Sequence, residues 1–150
     1  MARAFVVADD VTGANTSAAR MAMGGLSART VVELGEIEPA LRTADVVAVS
    51  TSSRGLPAVE AAARVRAVMQ AGAGVRFVAK RVDSTLRGNV GAELDAILDA
   101  LGATSRALVV PAFPTAGRTT VDGVQHVDGQ RLGRVADVLA AQSRRRIAFD

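Results

Sequence analysis

No cysteine occurs in this sequence, and neither tryptophan nor tyrosine. Without thiols there are no disulfides, no thiolate metal sites and no cysteine nucleophile. The single histidine, His126, has no second imidazole or thiol with which to share a zinc ion, so it reads as a structural or surface residue. Four phenylalanines are the only aromatic rings, too few platforms for stacking single-stranded nucleic acid. The net charge of +3 is modest and rests on arginines spread singly along the chain. The one basic run, Arg144, Arg145 and Arg146, reads as a solvated face, so nucleic acid is not an expected partner. No apolar stretch approaches the roughly 18–20 residues that span a bilayer. The opening MARAFVVADD ends in two aspartates where a secretory leader would stay apolar. The expectation is a cytoplasmic protein without a membrane partner. Signatures of a phosphate loop (GxxxxGK[ST]), a dinucleotide turn (GxGxxG) and a nucleophile elbow (GxSxG) are missing as well.

What is present is a chain of 150 residues, 49% hydrophobic, long enough for one domain with a real core. Short valine-rich runs at 4–8, 28–32, 46–50, 75–79 and 107–110 read as strands buried on both faces. Helical patterns fill the intervals at 15–23, 57–71 and 90–101, with glycines just past their ends. Residues 36–42 suit either a short helix or a loop. This alternation predicts an α/β fold: a doubly wound, mostly parallel sheet with flanking helices, Rossmann-like in three layers. After residue 110 the pattern changes to PAFPTAGRTTVDGVQHVDGQRL. It predicts a long loop, then a β-hairpin excursion near 119–132 turning at Asp128-Gly129, and a short helix over 134–141. The final RRRIAFD has the character of a strand beginning, which suggests an incomplete domain.

Each predicted strand but the second ends in a polar cluster: ADDVTGAN, STSSRG, KRVDSTLRGN and PAFPTAGRTT. Ligands of doubly wound sheets bind beyond the C-terminal strand ends, so these clusters are expected to share one cleft. Its arginines, Arg54, Arg87 and Arg118, suit oxyanions. Its carboxylates, Asp9, Asp10 and Asp83, can accept from sugar hydroxyls, ligate a hard cation or act as a base. Hydroxyls and amides at Thr12, Asn15, Ser52, Ser53, Ser84, Thr85 and Asn89 complete the set. Lys80, the only lysine of the chain, hints at a place where a compact ammonium is wanted. Plainer readings stand beside these. Asp9, Asp10 or Thr12 can cap the first helix, Asn89 can cap the one starting at Val90, Asp83 and Arg87 can form a surface ion pair, and Ser52 and Ser53 can be ordinary loop residues. Asp9 and Asp10 are adjacent, which breaks the one-apart spacing of haloacid-dehalogenase-like phosphatases.

The motifs ADDVTGAN (8–15), TSSRG (51–55), KRVDSTLRGNVGAE (80–93) and PAFPTAGRTTVDGVQHVDG (111–129), in this order, resemble the N-terminal, sugar-binding domain of the four-carbon acid sugar kinase family. Members of that family phosphorylate threonate, erythronate or 3-oxo-tetronate with ATP. The resemblance implies that residues 1–150 hold the sugar acid. It also implies that ATP and Mg²⁺ are held mainly by a C-terminal nucleotide-binding domain outside this sequence. The stretch after DGQRL is shorter than the family usually has. By resemblance, Asp10 or Asp83 orients the acceptor hydroxyl or takes its proton. Arg54 and Arg87 clamp the carboxylate, and Lys80 and Arg118 steady the carboxylate or the phosphoryl group. Asp9, Thr12, Ser53, Ser84 and Asn89 fill out the substrate site, with no metal ligand of the chain's own. The alternative is a non-catalytic sugar-acid-binding module or subunit that needs a separate nucleotide-binding partner. An open sheet edge also offers pairing with a second copy.

Overall fold

The computed structural model describes residues 2–148. Four parallel strands, β1 (Ala4–Ala8), β2 (Ala28–Val31), β3 (Val46–Ser50) and β4 (Phe77–Arg81), form a sheet in the order β2-β3-β1-β4. Helices α1 (Val11–Met23), α2 (Ile37–Thr43) and α3 (Ala58–Ala71) connect them, and α4 (Val90–Leu101) follows β4. Every residue of β1 and β3 is buried, as continuous apolar strands require when both faces are covered. One face packs Phe5, Val7, Val47 and Val49 against α2, α3 and α4 through Ile37, Leu41, Val65, Met69 and Ile97. Each such side chain contributes roughly 1.5–3 kcal/mol on burial. The other face is made of smaller residues, Ala4, Val6, Ala8 and Ala48, and receives α1 through Ala14 and Ala18. The chain is therefore a three-layer α/β domain.

A second, antiparallel sheet follows: β5 (Arg118–Val121), β6 (Val124–Val127) and β7 (Gln130–Arg134), ending in α5 (Val135–Ala140). The single expected hairpin is thus a three-stranded meander. Both Asp-Gly pairs make its turns. Asp122 and Gly123 have φ 49° and 72°, Asp128 and Gly129 φ 49° and 80°, the double positive φ of a type I′ turn.

Other expectations are corrected. The fourth strand lies at Phe77–Arg81 rather than 75–79, because its pairing with β1 begins at Phe77 opposite Ala4. Lys80 and Arg81 are therefore strand residues. No strand forms over 107–110: only Val109 packs inward, against the cluster of Val90, Val135 and Leu139, while Leu108 and Val110 face solvent. An apolar run without a ladder partner stays irregular. Helix α1 begins at Val11 instead of residue 15 because Asp10 caps it. Residues 37–43 are helical, which resolves the ambiguous segment as α2. At the C-terminus, residues 144–148 form no strand, and the last two residues of the expected one lie outside the described residues.

Candidate functional site

The register Ala8↔Ser50 and Ala8↔Arg81 makes β3, β1 and β4 end level. Three polar segments, 9–10, 51–56 and 82–89, leave the sheet side by side. Helix α1 departs on one face, α3 and α4 on the other, which opens a crevice between them. Asp10, Thr12, Arg54, Arg81, Asp83 and Arg87 line a cleft of about 220 Å³ there. That is below the roughly 300–1,000 Å³ of drug-sized sites and suits a small polar ligand. A hollow of about 260 Å³ beside β2, at Arg29, Glu33 and Glu36, contains none of these groups.

Arg54 is the centre of the cleft. Its Nε and Nη2 donate to Asp9 Oδ2 and Oδ1 at 2.8 and 3.0 Å, and its Nη1 lies 2.7 Å from Asp10 Oδ2. Asp83 Oδ1 is 3.9 Å from Nη2. The bonds that Arg54 donates to Asp9 hold the guanidinium pKa above its usual value, against the opposing effect of burial. The Asp9 side chain is only 4% exposed. Drawing Arg54 away would leave a buried carboxylate unpaired, at a cost of about 3–5 kcal/mol. Gly88, at φ +87°, makes the close packing possible, since a Cβ there would sit 2.9 Å from Asp9 Oδ2.

Asp10 is the N-cap of α1, its Oδ1 accepting from Gly13 N–H at 2.7 Å. The capping reading therefore holds, and the same carboxylate also faces the cleft. Asp83 accepts from the Thr85 backbone and hydroxyl (3.3 and 2.5 Å) and from the Arg87 backbone, Nε and Nη2 (3.2, 2.8 and 3.0 Å). Desolvation pushes its pKa up, but the bonds from Arg87 and Thr85 outweigh it and hold the carboxyl below the usual range. A carboxylate so stabilised is a weak proton acceptor. The expected Asp83–Arg87 ion pair is present, with Arg87 exposed.

Ser53, Lys80 and Asn89 lie beneath the cleft rather than in its lining. Ser53 is fully buried, takes a 2.6 Å contact from Thr51 Oγ1 and donates to Glu93 Oε1 at 2.5 Å. Lys80 Nζ stands 2.8 Å from Glu93 Oε2, an ion pair without good hydrogen-bond alignment, and donates to the Arg81 carbonyl at 2.9 Å. Asn89 occupies the N-cap position of α4 without a side-chain cap bond. Its amide instead donates to the carbonyls of Ser53 and Leu56 at 3.3 and 2.8 Å. Thr12 is exposed at the cleft mouth. Ser84 meets the second sheet: its carbonyl accepts from Gln125 Nε2 at 2.8 Å. Arg118 donates to the Ala116 carbonyl and makes no ion pair with the cleft carboxylates among the described residues. In the run Arg144–Arg146, Arg144 and Arg146 are exposed, as a solvated face requires, while Arg144 and the less exposed Arg145 also pair with Asp95 and Asp99 of α4.

Three residues outside the expected set matter here. Glu93, 0% exposed, holds the Ser53 loop and Lys80 together. Its signal was a carboxylate inside the apolar stripe of α4, three residues after Val90 and four before Ile97. Gln125, also fully buried, ties β6 to the 82–89 loop, and nothing in the sequence distinguishes it. Arg81 lines the cleft beside Lys80, in a place that the earlier strand end at residue 79 concealed.

The family described as "Sugar-binding N-terminal domain" matches residues 4–146. A D-erythronate kinase of Heliobacterium modesticaldum is 39% identical over 99% of this chain, and a D-threonate kinase of Cupriavidus necator 47% identical over 85%. The chain spans 38% and 30% of the lengths of these relatives. A solved structure from Bordetella bronchiseptica, described as a domain of unknown function with bound citrate in a domain-swapped dimer, superposes with a TM-score of 0.85 at 36% identity. That match covers 92% of this chain and 39% of the other. This chain belongs to the family of sugar-binding N-terminal domains.

Proposed function

We propose that the cleft binds a four-carbon sugar acid, and that the chain is the acid-holding part of an ATP-dependent kinase acting on its ligand's hydroxyl. One observation carries this reading. Two cleft carboxylates, Asp10 and Asp83, stand within 4 Å of the Arg54 guanidinium that holds them, and Arg81 lines the same cleft, so acceptors for hydroxyls and a donor for an oxyanion share a small space. The names of the relatives, kinases of erythronate and threonate, support the same class.

In this reading the roles of the carboxylates divide. Asp83 accepts five hydrogen bonds from its own loop, and its pKa is depressed, so it positions that loop and a ligand hydroxyl. Among the described residues the Asp10 carboxylate accepts a hydrogen bond from Gly13 N–H and pairs with Arg54, which leaves lone pairs for the acceptor hydroxyl, and it takes the base role. Arg54 fixes both carboxylates, and Arg87 fixes Asp83. ATP and Mg²⁺ supply the transferred phosphoryl group and its charge neutralisation. Because the chain spans only 38% and 30% of the lengths of its kinase relatives, nucleotide and metal are assigned to a C-terminal domain or a separate subunit.

Calorimetric titration of the chain with D-erythronate, D-threonate and L-threonate, each with and without Mg-ATP, tests the reading. Saturable binding of one acid, unaffected by ATP and without turnover, is expected. A chain that melts cooperatively yet binds none of the acids would sink the reading.

A further inference from the structure

We propose that Arg81 is the residue that receives the ligand's carboxylate. This rests on the sugar-acid reading of the cleft and names its anion subsite. Three arginines line the cleft, and two of them are already engaged. Arg54 has its fork on Asp9 and its remaining terminal nitrogen on Asp10. Arg87 has its fork on Asp83. Among the described residues Arg81 donates a single side-chain bond, from Nη1 to the Val82 carbonyl at 3.1 Å, and forms no ion pair. A guanidinium has five N–H donors, so most of its capacity for a planar oxyanion is unfilled.

Its placement is built. Arg81 is the last residue of β4, opposite Ala8, so its stem starts at the level where the cleft opens. The stem runs against the first turn of α1, where a Cβ on Gly13 would come within 3.2 Å of Arg81 Cγ and 2.8 Å of Asp10 Oδ1. Glycine at 13 therefore lets the arginine and the capping aspartate share one corner. A carboxylate on Arg81 would leave the ligand's hydroxyls toward Asp10 and Asp83, which can only accept. A dianionic phosphoryl group fits less well, because those two aspartates would repel it.

The test is titration of the chain and its Arg81→Ala, Arg81→Lys and Arg54→Ala variants. The ligands are D-erythronate, D-threonate, the uncharged four-carbon polyol erythritol, and inorganic phosphate. Wild type should prefer one acid to the polyol. Arg81→Ala should weaken that acid about tenfold to a hundredfold and leave the polyol unchanged, abolishing the preference. Arg81→Lys, which keeps the charge but not the fork, should recover part of it, and it tests the assignment should the alanine variant not melt cooperatively. Unchanged acid affinity in Arg81→Ala, or loss of the acid preference only in Arg54→Ala, overturns the assignment while the sugar-acid reading stands. Phosphate binding that depends on Arg81 more than acid binding does overturns it in favour of a phosphoryl site. Failure of folded wild type to bind any acid overturns both.

Discussion

Glu93 has no exposed surface, and its two oxygens meet Ser53 from the β3 loop and Lys80 from β4. A buried ion pair adds little net stability, but removing one partner leaves the other charge stranded. Glu93→Ala is therefore expected to lose about 3–5 kcal/mol, with Lys80 left alone at 5% exposure. The double variant Lys80→Met, Glu93→Leu should recover most of that loss. Urea midpoints of the three proteins decide it, and a single-variant loss under about 1 kcal/mol would mean the pair is not what holds the loop. The lone lysine was legible in the sequence as a residue with a special place. Its direction was not, because a lysine at a strand end can point to solvent, to a ligand or into the sheet. Glu93, four residues into a helix, decides which. The same holds for Asn89 and Ser53: their residue types suit a ligand site, and only the fold shows that backbone carbonyls and Glu93 take up their hydrogen bonds.

At the scale of elements, the loop 82–89 is organised by one carboxylate. Asp83 gathers the Thr85 and Arg87 donors, and the loop passes through Leu86 at φ 61° and Gly88 at φ +87°. A leucine in the left-handed region is strained and needs such support. Because the folded pKa of Asp83 lies below its ordinary value, its contribution is complete above the usual carboxylate range and is lost as pH falls toward the folded value. Asp83→Asn should accordingly destabilise the chain at pH 7 and flatten the decline of stability between about pH 5 and pH 3. Denaturant midpoints across that range measure it, and parallel wild-type and variant curves would show that the decline belongs to other groups. Elements buried on both faces were the most legible part of the fold: β1 and β3 fall at the expected residues because apolar continuity there reflects real burial. Residues 107–110 show the limit of that signal. Their composition matches a strand, yet the outer edge of β4 receives no ladder from them among the described residues, and Leu108 is 92% exposed.

The whole molecule adds a link that no local pattern contains. After α5 the chain returns to α4, and Gln142 inserts between two site-bearing segments. Its Oε1 accepts from Gly91 N–H at 2.9 Å and its Nε2 donates to the Gly88 carbonyl at 3.1 Å. One side chain thus satisfies an otherwise orphaned amide in the first turn of α4 and pins the end of the Asp83 loop. Nearby, Arg144 and Arg145 make ion pairs with Asp95 and Asp99 that look more numerous. Magnitudes rank them the other way. The bonds to Asp99 are exposed and contribute about 0–1 kcal/mol that fades with salt, and buried Asp95 keeps its bonds from the Ser143 hydroxyl and the Arg144 amide without either guanidinium, whereas the two half-buried hydrogen bonds of Gln142 contribute about 0.5–1.5 kcal/mol each. Gln142→Ala is expected to lose about 1–3 kcal/mol at any salt concentration. It should also weaken acid binding, because Gly88 is packed against Asp9 and Arg54. Arg144→Ala with Arg145→Ala should lose about 1 kcal/mol or less, with the loss shrinking at high salt, and should leave acid binding unchanged. Thermal melts at low and high salt, paired with the acid titration, separate the two. If the arginine pair governs both stability and binding, the clasp on the cleft is electrostatic and Gln142 is incidental to it.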